Sequence, residues 1–484
     1  MPLEASGQTP VLTAAGLAAA RRNLPLPCAL RLGDGGSLDL LRSLRVLPGK
    51  RITGEGIWNG QRVLAKLFIA SGSARHWRRE HKGIALLEAA GIPTTPILAA
   101  GALADGGHYL LTAFLPDACS LANELKRGGD AHAQLEAVCT RLGQLHACGL
   151  VHGDPHPGNF LLDAGEPLVI DGDAVRRSST PLSGPNADAE FAHFLAGLPP
   201  EKTLDALIAA YCAGNPRHTP SPAALRTQIE KYRRAQLTDY LHKTVRPCTL
   251  FEVRRSARRF TSVGRDDAAA LAPLLADPDR AIASGVLLKN GYTATIARVE
   301  INGRMLAVKR YNIKNAAHAL SRAWRPSRAW HSWREGHRLH FLGIATPMPR
   351  ALIEERIGPM RRRAWLVTDH NAGCNLLEHL APHVDASAPP PAESEALPRF
   401  FATLHAHRIA HGDLKANNLL WDEAQGVVVI DLDAMTQYTS AAAHARAWRR
   451  DRARLLANWP KDSGLHRWLD EHLPPAKGRR NSGS

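Results

Sequence analysis

Two stretches of the chain, residues 149–175 and 408–435, share one pattern of apolar and polar positions. Each begins with a His-Gly-Asp turn, continues into a short apolar run, turns, and ends in a second apolar run that is closed by an Asp. Short apolar runs bounded by turn residues are typical of strands. The pattern therefore predicts a loop, a strand, a turn and a second strand, and it predicts this arrangement twice.

Three polar residues keep the same order in both stretches. They are the Asp of the turn, an Asn five residues later and the Asp that ends the second strand: Asp154, Asn159 and Asp171 in the earlier copy, and Asp413, Asn418 and Asp431 in the later copy. A hairpin brings such side chains to one end, where one carboxylate can orient a hydroxyl nucleophile while the Asn and the other carboxylate hold Mg²⁺ on a nucleotide. Asp173 and Asp433 are alternative metal ligands, but Asp171 and Asp431 end the apolar strands directly.

A strand-like segment and a helical segment precede each stretch. Residues 44–68 read as short strands joined by Gly turns, with Lys66 in the last strand, and the helical pattern that follows carries Glu80. A strand lysine paired with a helix glutamate is the arrangement by which kinases hold nucleotide phosphates. The alternative is a lysine on the solvent face of a strand. The same order recurs with Lys309 and Glu335.

This recurrence predicts a tandem repeat of one α+β domain, in which a small β-rich lobe precedes a mostly helical lobe. The predicted divisions are an N-terminal lead-in at 1–25, a first domain at 26–215, a basic helical connector at 216–275, a second domain at 276–475 and a tail at 476–484. Two domains also fit a chain of 484 residues.

The charge of the chain changes the range of expected partners. The formal net charge is +16, which favours a polyanionic partner such as an anionic membrane face or a phosphorylated substrate. Residues 221–260 hold ten Lys and Arg against three acidic residues; a solvated helix face is the alternative. No nucleic-acid-binding motif is present, so a nucleic acid partner is not expected.

Other global features point to a cytoplasmic protein. No apolar run approaches the roughly 20 residues that span a bilayer, and the N-terminus lacks the pattern of a secretory signal. The seven cysteines are scattered without a C-x-x-C pair, so neither a zinc site nor a disulfide framework is indicated.

A set of short motifs in the second half carries a family resemblance. They are VKRYN at 308–312, SRAW at 321–324, WREGHRL at 333–339, GIATPMP at 343–349, HGDLKANNLL at 411–420 and VVIDLD at 428–433. With these motifs both predicted domains resemble protein-kinase-like folds, and the second resembles the lipopolysaccharide core heptose kinase (WaaP/InaA, Kdo-kinase-like) family. HGDPHPGN at 152–159 in the first is shared more widely, with UbiB-type and aminoglycoside-phosphotransferase-type kinases.

The resemblance implies roles for individual residues. In the second domain it makes Asp413 the catalytic base, His411 a shaper of the loop, Lys415 a neighbour of the γ-phosphate, Asn418 and Asp431 the Mg²⁺ ligands, and Lys309 with its partner Glu335 the phosphate anchor. In the first domain the same roles fall on Asp154, His152, Asn159, Asp171, Lys66 and Glu80, with His156 in place of the lysine. The implied cofactors are ATP and Mg²⁺.

The expected function is therefore ATP-dependent transfer of the γ-phosphate to a sugar hydroxyl of the lipopolysaccharide inner core, with heptose as the sugar. The enzyme would act peripherally on the anionic inner face of the cytoplasmic membrane. Two alternatives remain open. One is a protein kinase or an aminoglycoside-type small-molecule kinase, and the other is a kinase and pseudokinase pair in which the first domain is regulatory.

Overall fold

The structure is a computed structural model that describes residues 9–128, 131–199, 204–312 and 325–475. The chain divides into two compact units, Met1–Gln236 and Leu237–Ser484. Each unit combines a seven-stranded sheet with a helical part. The SRAW motif at 321–324 lies outside the described residues.

The first unit contains twelve described strands and seven described helices, the last of which runs past the division. The strands are β1 Val11–Leu12, β2 Cys28–Arg31, β3 Ser37–Leu47, β4 Arg51–Trp58, β5 Gln61–Phe68, β6 Ile97–Ala102, β7 His108–Ala113, β8 Cys119–Ser120, β9 Leu150–Val151, β10 Phe160–Asp163, β11 Glu166–Val169 and β12 Arg176–Arg177. The helices are α1 Ala14–Ala20, α2 Ala74–Ala89, α3 Leu121–Lys126, α4 His132–Ala147, α5 Gly184–Ala196, α6 Leu204–Gly214 and α7 Pro222–Lys243. Short 3₁₀ turns are Pro157–Asn159 and Gly172–Ala174.

The second unit repeats much of this order. Its described strands are β13 Phe251–Arg255, β14 Arg259–Gly264, β15 Val286–Asn290, β16 Ala294–Ile301, β17 Arg304–Tyr311, β18 Pro349–Ile357, β19 Met360–Asp369, β20 Cys374–Asn375, β21 Ile409–Ala410, β22 Leu419–Asp422, β23 Gly426–Val429 and β24 Thr436–Gln437. Its described helices are α8 Ala272–Ala276, α9 Pro278–Ser284, α10 Arg328–Phe341, α11 Leu376–His379, α12 Pro391–Ala406, α13 Ala441–Leu456 and α14 Gly464–His472. Short 3₁₀ turns are Arg265–Asp267, Ala381–His383, Ala416–Asn418 and Leu432–Ala434.

The order of strands in the large sheets shows which parts of the units correspond. It is β1-β2-β3-β4-β5-β7-β6 in the first unit and β13-β14-β18-β19-β17-β16-β15 in the second. In β5 the side chains of Val63, Ala65 and Leu67 are fully buried on one face, and alternation along the strand directs Lys66 to the other face. Lys309 occupies the same sixth position of β17.

The helical parts contain the two predicted hairpins. In the first unit β10 pairs with β11, and in the second β22 pairs with β23, in both cases antiparallel. Apolar clusters of the helices cover these hairpins, with Phe160 and Val169 fully buried in one unit and Leu419 and Val429 fully buried in the other. Packing therefore fixes each hairpin and the loop that precedes it.

Two segments differ from the sequence-based prediction. Leu17 of α1 is fully buried in the core of the first sheet, so described residues of the predicted lead-in belong to the folded unit. In the predicted helical connector, α7 ends at Lys243, and β13 and β14 then join the second sheet, where Thr261 lies opposite Ile353. The sequence analysis did not recognise this strand, because Arg254 and other charged residues occupy its exposed positions.

No described helix combines the length and the apolar composition that crossing a bilayer requires.

Candidate active site

A buried histidine anchors each His-Gly-Asp loop. His152 Nε2 lies 3.1 Å from the carbonyl oxygen of Ile170, and His411 Nε2 lies 2.9 Å from that of Ile430. The backbone N–H of the following Asp donates to the histidine Nδ1 at 3.3 Å in both loops. Because Nδ1 accepts, Nε2 carries the proton and donates to the carbonyl. The histidine thus links the loop to the residue that directly precedes the second Asp, which is Asp171 or Asp431.

The Asn and the two Asp residues adopt the same geometry in both units. Asn159 Nδ2 donates to the backbone oxygen of Asp154 at 2.9 Å, and Asn418 Nδ2 donates to that of Asp413 at the same distance. Since the amide nitrogen is engaged, the amide oxygen is the end that can bind a cation. The residue that ends the second strand adopts a left-handed backbone conformation in both units, with φ of 68° at Asp171 and 59° at Asp431; such conformations cost energy for a non-glycine residue and cluster at functional sites.

A buried acidic residue on a later helix holds each loop, and the sequence analysis missed it. Glu190 Oε1 accepts the backbone N–H groups of His152 and Gly153, at 2.6 and 3.0 Å. Asp451 Oδ2 accepts the N–H of Gly412 at 2.9 Å. An acidic residue on the apolar face of a helix was the available signal, because such a residue is rarely buried without a partner.

In the first unit the strand lysine contacts the helix glutamate. Lys66 Nζ donates to Glu80 Oε1 and also lies 3.4 Å from Asp171 Oδ1. Glu80 is fully buried, and it also accepts the N–H groups of Gly172 and Asp173, both at 3.2 Å. Burial raises the pKa of Glu80. Burial opposes ionisation of Asp171 as well, but Lys66 outweighs it and holds the pKa of that carboxyl at about 2.

In the second unit the predicted contact between Lys309 and Glu335 is not formed. Lys309 Nζ instead lies 2.5 Å from Asp431 Oδ1 and 3.1 Å from Asp433 Oδ1. Glu335 Oε2 accepts from Arg338 Nε at 2.8 Å, within the same helix. Burial would raise the pKa of Asp431, but Lys309 overcomes this and lowers it.

The register of the two helices explains the difference. Both helices end in the same Gly-Ile turn, in which the N–H of Ile92 or Ile344 bonds back to the last helical turn at 2.9 Å. Counting back from these turns, Ser332 of α10 corresponds to Glu80 of α2, and Glu335 lies three residues later. The two glutamates match in a sequence comparison because both follow an arginine, but Glu335 lies about 4.5 Å further along its helix axis than the position that corresponds to Glu80.

Asp433 takes the place of the missing helix glutamate. Its Oδ1 accepts from Lys309 Nζ, from Ser332 Oγ at 2.9 Å and from the Tyr311 hydroxyl at 2.7 Å. Its Oδ2 lies 3.7 Å from Arg328 Nη1. Burial raises the pKa of Tyr311, so this hydroxyl stays a donor. The sequence analysis considered Asp433 only as an alternative metal ligand and did not assign Ser332, Tyr311 or Arg328 to the site.

A further cation lies in the same row of the second sheet as Lys309. Lys289 of β15 is opposite Ile296, which is opposite Lys309, and directly opposed residues project from the same face. Lys289 is also among the charges that lower the pKa of Asp431. The first unit repeats this row with Arg45, Thr53 and Lys66, and in both units a β-bulge precedes the outer cation. The sequence analysis did not consider a cation at this position.

The Asp of the second loop lies among cations at the protein surface. The Asp413 side chain is 40% exposed, with Lys415 Nζ at 3.1 Å and Arg454 Nη1 at 3.5 Å from its Oδ1. Arg454 also donates to the carbonyl oxygen of Gly412 at 2.6 Å. Within the described ranges, no basic side chain forms an ion pair with Asp154 of the first loop.

The residues at the end of each hairpin suit a magnesium ion bound to a nucleotide. Carboxylate and amide oxygens are the ligands that Mg²⁺ prefers, and it commonly takes only one or two protein carboxylates besides phosphate oxygens and water. Asp431 with Asn418, and Asp171 with Asn159, supply such oxygens. In the described part of the chain no three His, Cys, Asp or Glu residues converge into a closed metal site.

Comparisons with known proteins identify the family of this chain. No curated protein matches the sequence significantly. Among solved structures, a crystal structure of WbdD aligns at 18% identity over 40% of this chain and 51% of that chain, with a TM-score of 0.30, so the alignment spans about half of that chain. The profile of the lipopolysaccharide kinase (Kdo/WaaP) family matches residues 62–182 and 275–460. Together these ranges make up more than half of the chain, and one range lies in each unit. The chain belongs to the lipopolysaccharide kinase (Kdo/WaaP) family.

Proposed function

We propose that the second unit transfers the γ-phosphate of ATP to a sugar hydroxyl of the lipopolysaccharide inner core, and that the sugar is a heptose. The observation that carries this proposal is the half-exposed Asp413 with two cations, Lys415 and Arg454, beside it. A carboxylate at the surface can reach a hydroxyl of a large oligosaccharide. The cations can offset the negative charge of the transferred phosphoryl group.

The proposed roles follow from the contacts. Asp413 orients the sugar hydroxyl and accepts its proton, and His411 holds the loop that carries Asp413. Asn418 and Asp431 would hold Mg²⁺, which when bound neutralises charge on the phosphates. Lys309 binds the phosphates, and Asp433 fixes the position of its ammonium group.

The first unit is proposed to be a second protein-kinase-like domain that binds nucleotide and has a mainly regulatory role. The Lys66–Glu80 contact, Asn159 and Asp171 supply the groups for Mg·ATP. Its Asp154 forms no ion pair with a basic side chain of the described residues, unlike Asp413, and His156 stands at the position of Lys415. Both differences favour phosphoryl transfer in the second unit.

The acceptor can be tested with purified protein, radiolabelled ATP and core oligosaccharide from a strain with an unphosphorylated inner core. We expect the label to enter the oligosaccharide and, by tandem mass spectrometry, to be located on heptose. A matched oligosaccharide that lacks heptose is the control and should not be labelled. Label on another sugar would contradict the heptose assignment. Labelling only of a protein substrate or of an aminoglycoside would contradict the proposed substrate class.

We also propose that the enzyme binds peripherally to an anionic membrane on its cytoplasmic face. Besides Arg454, helix α13 presents three exposed arginines, Arg446, Arg449 and Arg450, while Trp448 and Leu455 are buried against the unit. Each basic residue near an anionic surface contributes about 1 kcal/mol. Replacing all three by Gln should weaken binding to phosphatidylglycerol vesicles about 10²-fold at low salt.

Cosedimentation measures this binding. The unchanged protein should leave the vesicles as salt rises, because screening shortens the reach of the charges. Vesicles of phosphatidylcholine alone are the matched control. Equal binding of the triple variant and the unchanged protein would show that α13 does not contribute to membrane binding. No binding at any salt concentration would contradict membrane association through these charges.

A further inference from the structure

Three side chains outside the phosphoryl-transfer site form a connected chain in the second unit. Cys374 Sγ lies 3.6 Å from His379 Nδ1, and His379 Nε2 lies 2.5 Å from Glu393 Oε1. Cys374 belongs to β20, His379 ends α11, and Glu393 is in the first turn of α12. The order of a thiol, an imidazole and a carboxylate is that of a nucleophile, its base and the group that orients the base.

Burial increases along this chain. Cys374 is exposed, the His379 side chain is 22% exposed, and the Glu393 side chain is 6% exposed. The imidazole also stacks on Trp421, with ring centroids 5.3 Å apart and an angle of 17° between the planes. Stacking and the carboxylate together fix the ring with one nitrogen directed at the thiol. A reagent in solution can thus reach the sulfur while the base stays in place.

Glu393 supplies a second, independent observation. Its Oε2 is buried and has no hydrogen-bond partner among the described residues. His379 Nε2 is thus held by the one oxygen of this carboxylate that has a partner, and the other ring nitrogen faces the thiol.

The first unit has a cysteine at the same position but lacks the other two groups. Cys119 is opposite Leu162 in the first unit, as Cys374 is opposite Trp421 in the second. Five residues after Cys119 the chain has Glu124, and the third residue of α4 is Gln134. A histidine base and its carboxylate are thus present only beside Cys374, which makes Cys119 a control within the same chain.

We propose that Cys374, His379 and Glu393 form a nucleophilic thiol site that reacts with peroxides, separately from phosphoryl transfer. His379 takes the thiol proton, and the sulfur attacks one oxygen of hydrogen peroxide. An S–O bond forms and the O–O bond breaks, so the cysteine is oxidised to a sulfenic acid. The leaving hydroxide takes the proton from His379 and departs as water, which balances the reaction.

The test measures each cysteine separately in the full-length, reduced protein. Limiting hydrogen peroxide is added with dimedone, which traps sulfenic acids, and peptide mass spectrometry gives the rate for every cysteine. Cys148 is the exposed control, since it and Cys374 are the exposed thiols among the seven cysteines. We expect Cys374 to react at least about tenfold faster than Cys148 and Cys119, a modest share of what a positioned base can supply.

Two variants separate the base from the structural role of the cluster. His379→Gln should lower the rate of Cys374 to that of Cys148, and Glu393→Gln should lower it in part. The rate of the half-buried Cys248, which belongs to the same unit as the substituted residues, should stay the same in both, which shows that the fold of this unit is intact. A Cys374 rate no higher than that of Cys148, or one unchanged by His379→Gln, would overturn the proposal. Fast alkylation of Cys374 by iodoacetamide without trapping after peroxide would overturn the assignment of peroxide as the co-reactant.

Discussion

Asp413→Asn should lower phosphoryl-transfer turnover by about 10²–10⁴-fold while ATP binding is retained. The change preserves the size of the side chain and removes only its ability to accept the proton of the acceptor hydroxyl. Lys415 and Arg454 remain beside the site, and His411 still anchors the loop through the backbone. Turnover is measured with radiolabelled ATP and core oligosaccharide, and ATP affinity by calorimetry.

The matched control is Asp154→Asn, which makes the same change at the same loop position of the first unit. We expect a much smaller loss of turnover, because no basic side chain of the described residues forms an ion pair with Asp154, whereas Lys415 and Arg454 do so with Asp413. If Asp154→Asn abolished transfer and Asp413→Asn left it intact, the assignment of the active unit would be reversed. Equal losses in both variants would indicate that each unit carries out part of the reaction.

Local patterns predicted the hairpins of the site well. The His-Gly-Asp turn, the Asn and the strand-ending Asp all lie within short stretches, so their relative positions depend on turns and on one strand pair. The structure places Asn418 against the Asp413 backbone and Asp431 at the end of the partner strand. A repeated pattern of this kind needs little information from distant parts of the chain.

The register in which a helix packs against a sheet could not be predicted from such local patterns. Glu335 lies in the correct helix, but which helical residue meets Lys309 depends on how α10 packs, and three residues move a side chain about 4.5 Å along the helix axis. Asp433 was visible in the sequence, yet its contact with Lys309 joins residues far apart in the chain. Likewise, Asp451 reaches the catalytic loop from a helix that follows it.

The contacts of Lys309 predict that substitutions at two acidic residues of the second unit, Asp433 and Glu335, affect ATP binding differently. Asp433→Asn should weaken ATP binding about 10- to 100-fold, because it removes a charge-assisted hydrogen bond worth about 1.5–3 kcal/mol. The amide keeps the size of the side chain and can still accept from Ser332 or Tyr311. Lys309→Met should weaken ATP binding at least as strongly, since the phosphates lose their cation.

Glu335→Gln is the control for this contrast, and its expected result is unchanged ATP affinity. Its carboxylate contacts Arg338 of the same helix, so the position of the Lys309 ammonium does not depend on it. ATP affinity of all three variants is measured by calorimetry, with Lys66→Met in the background to weaken nucleotide binding by the first unit. If Glu335→Gln weakened binding and Asp433→Asn did not, Lys309 would bind nucleotide through the helix glutamate after all. In that case the second unit would use the same anchor as the Lys66–Glu80 pair of the first.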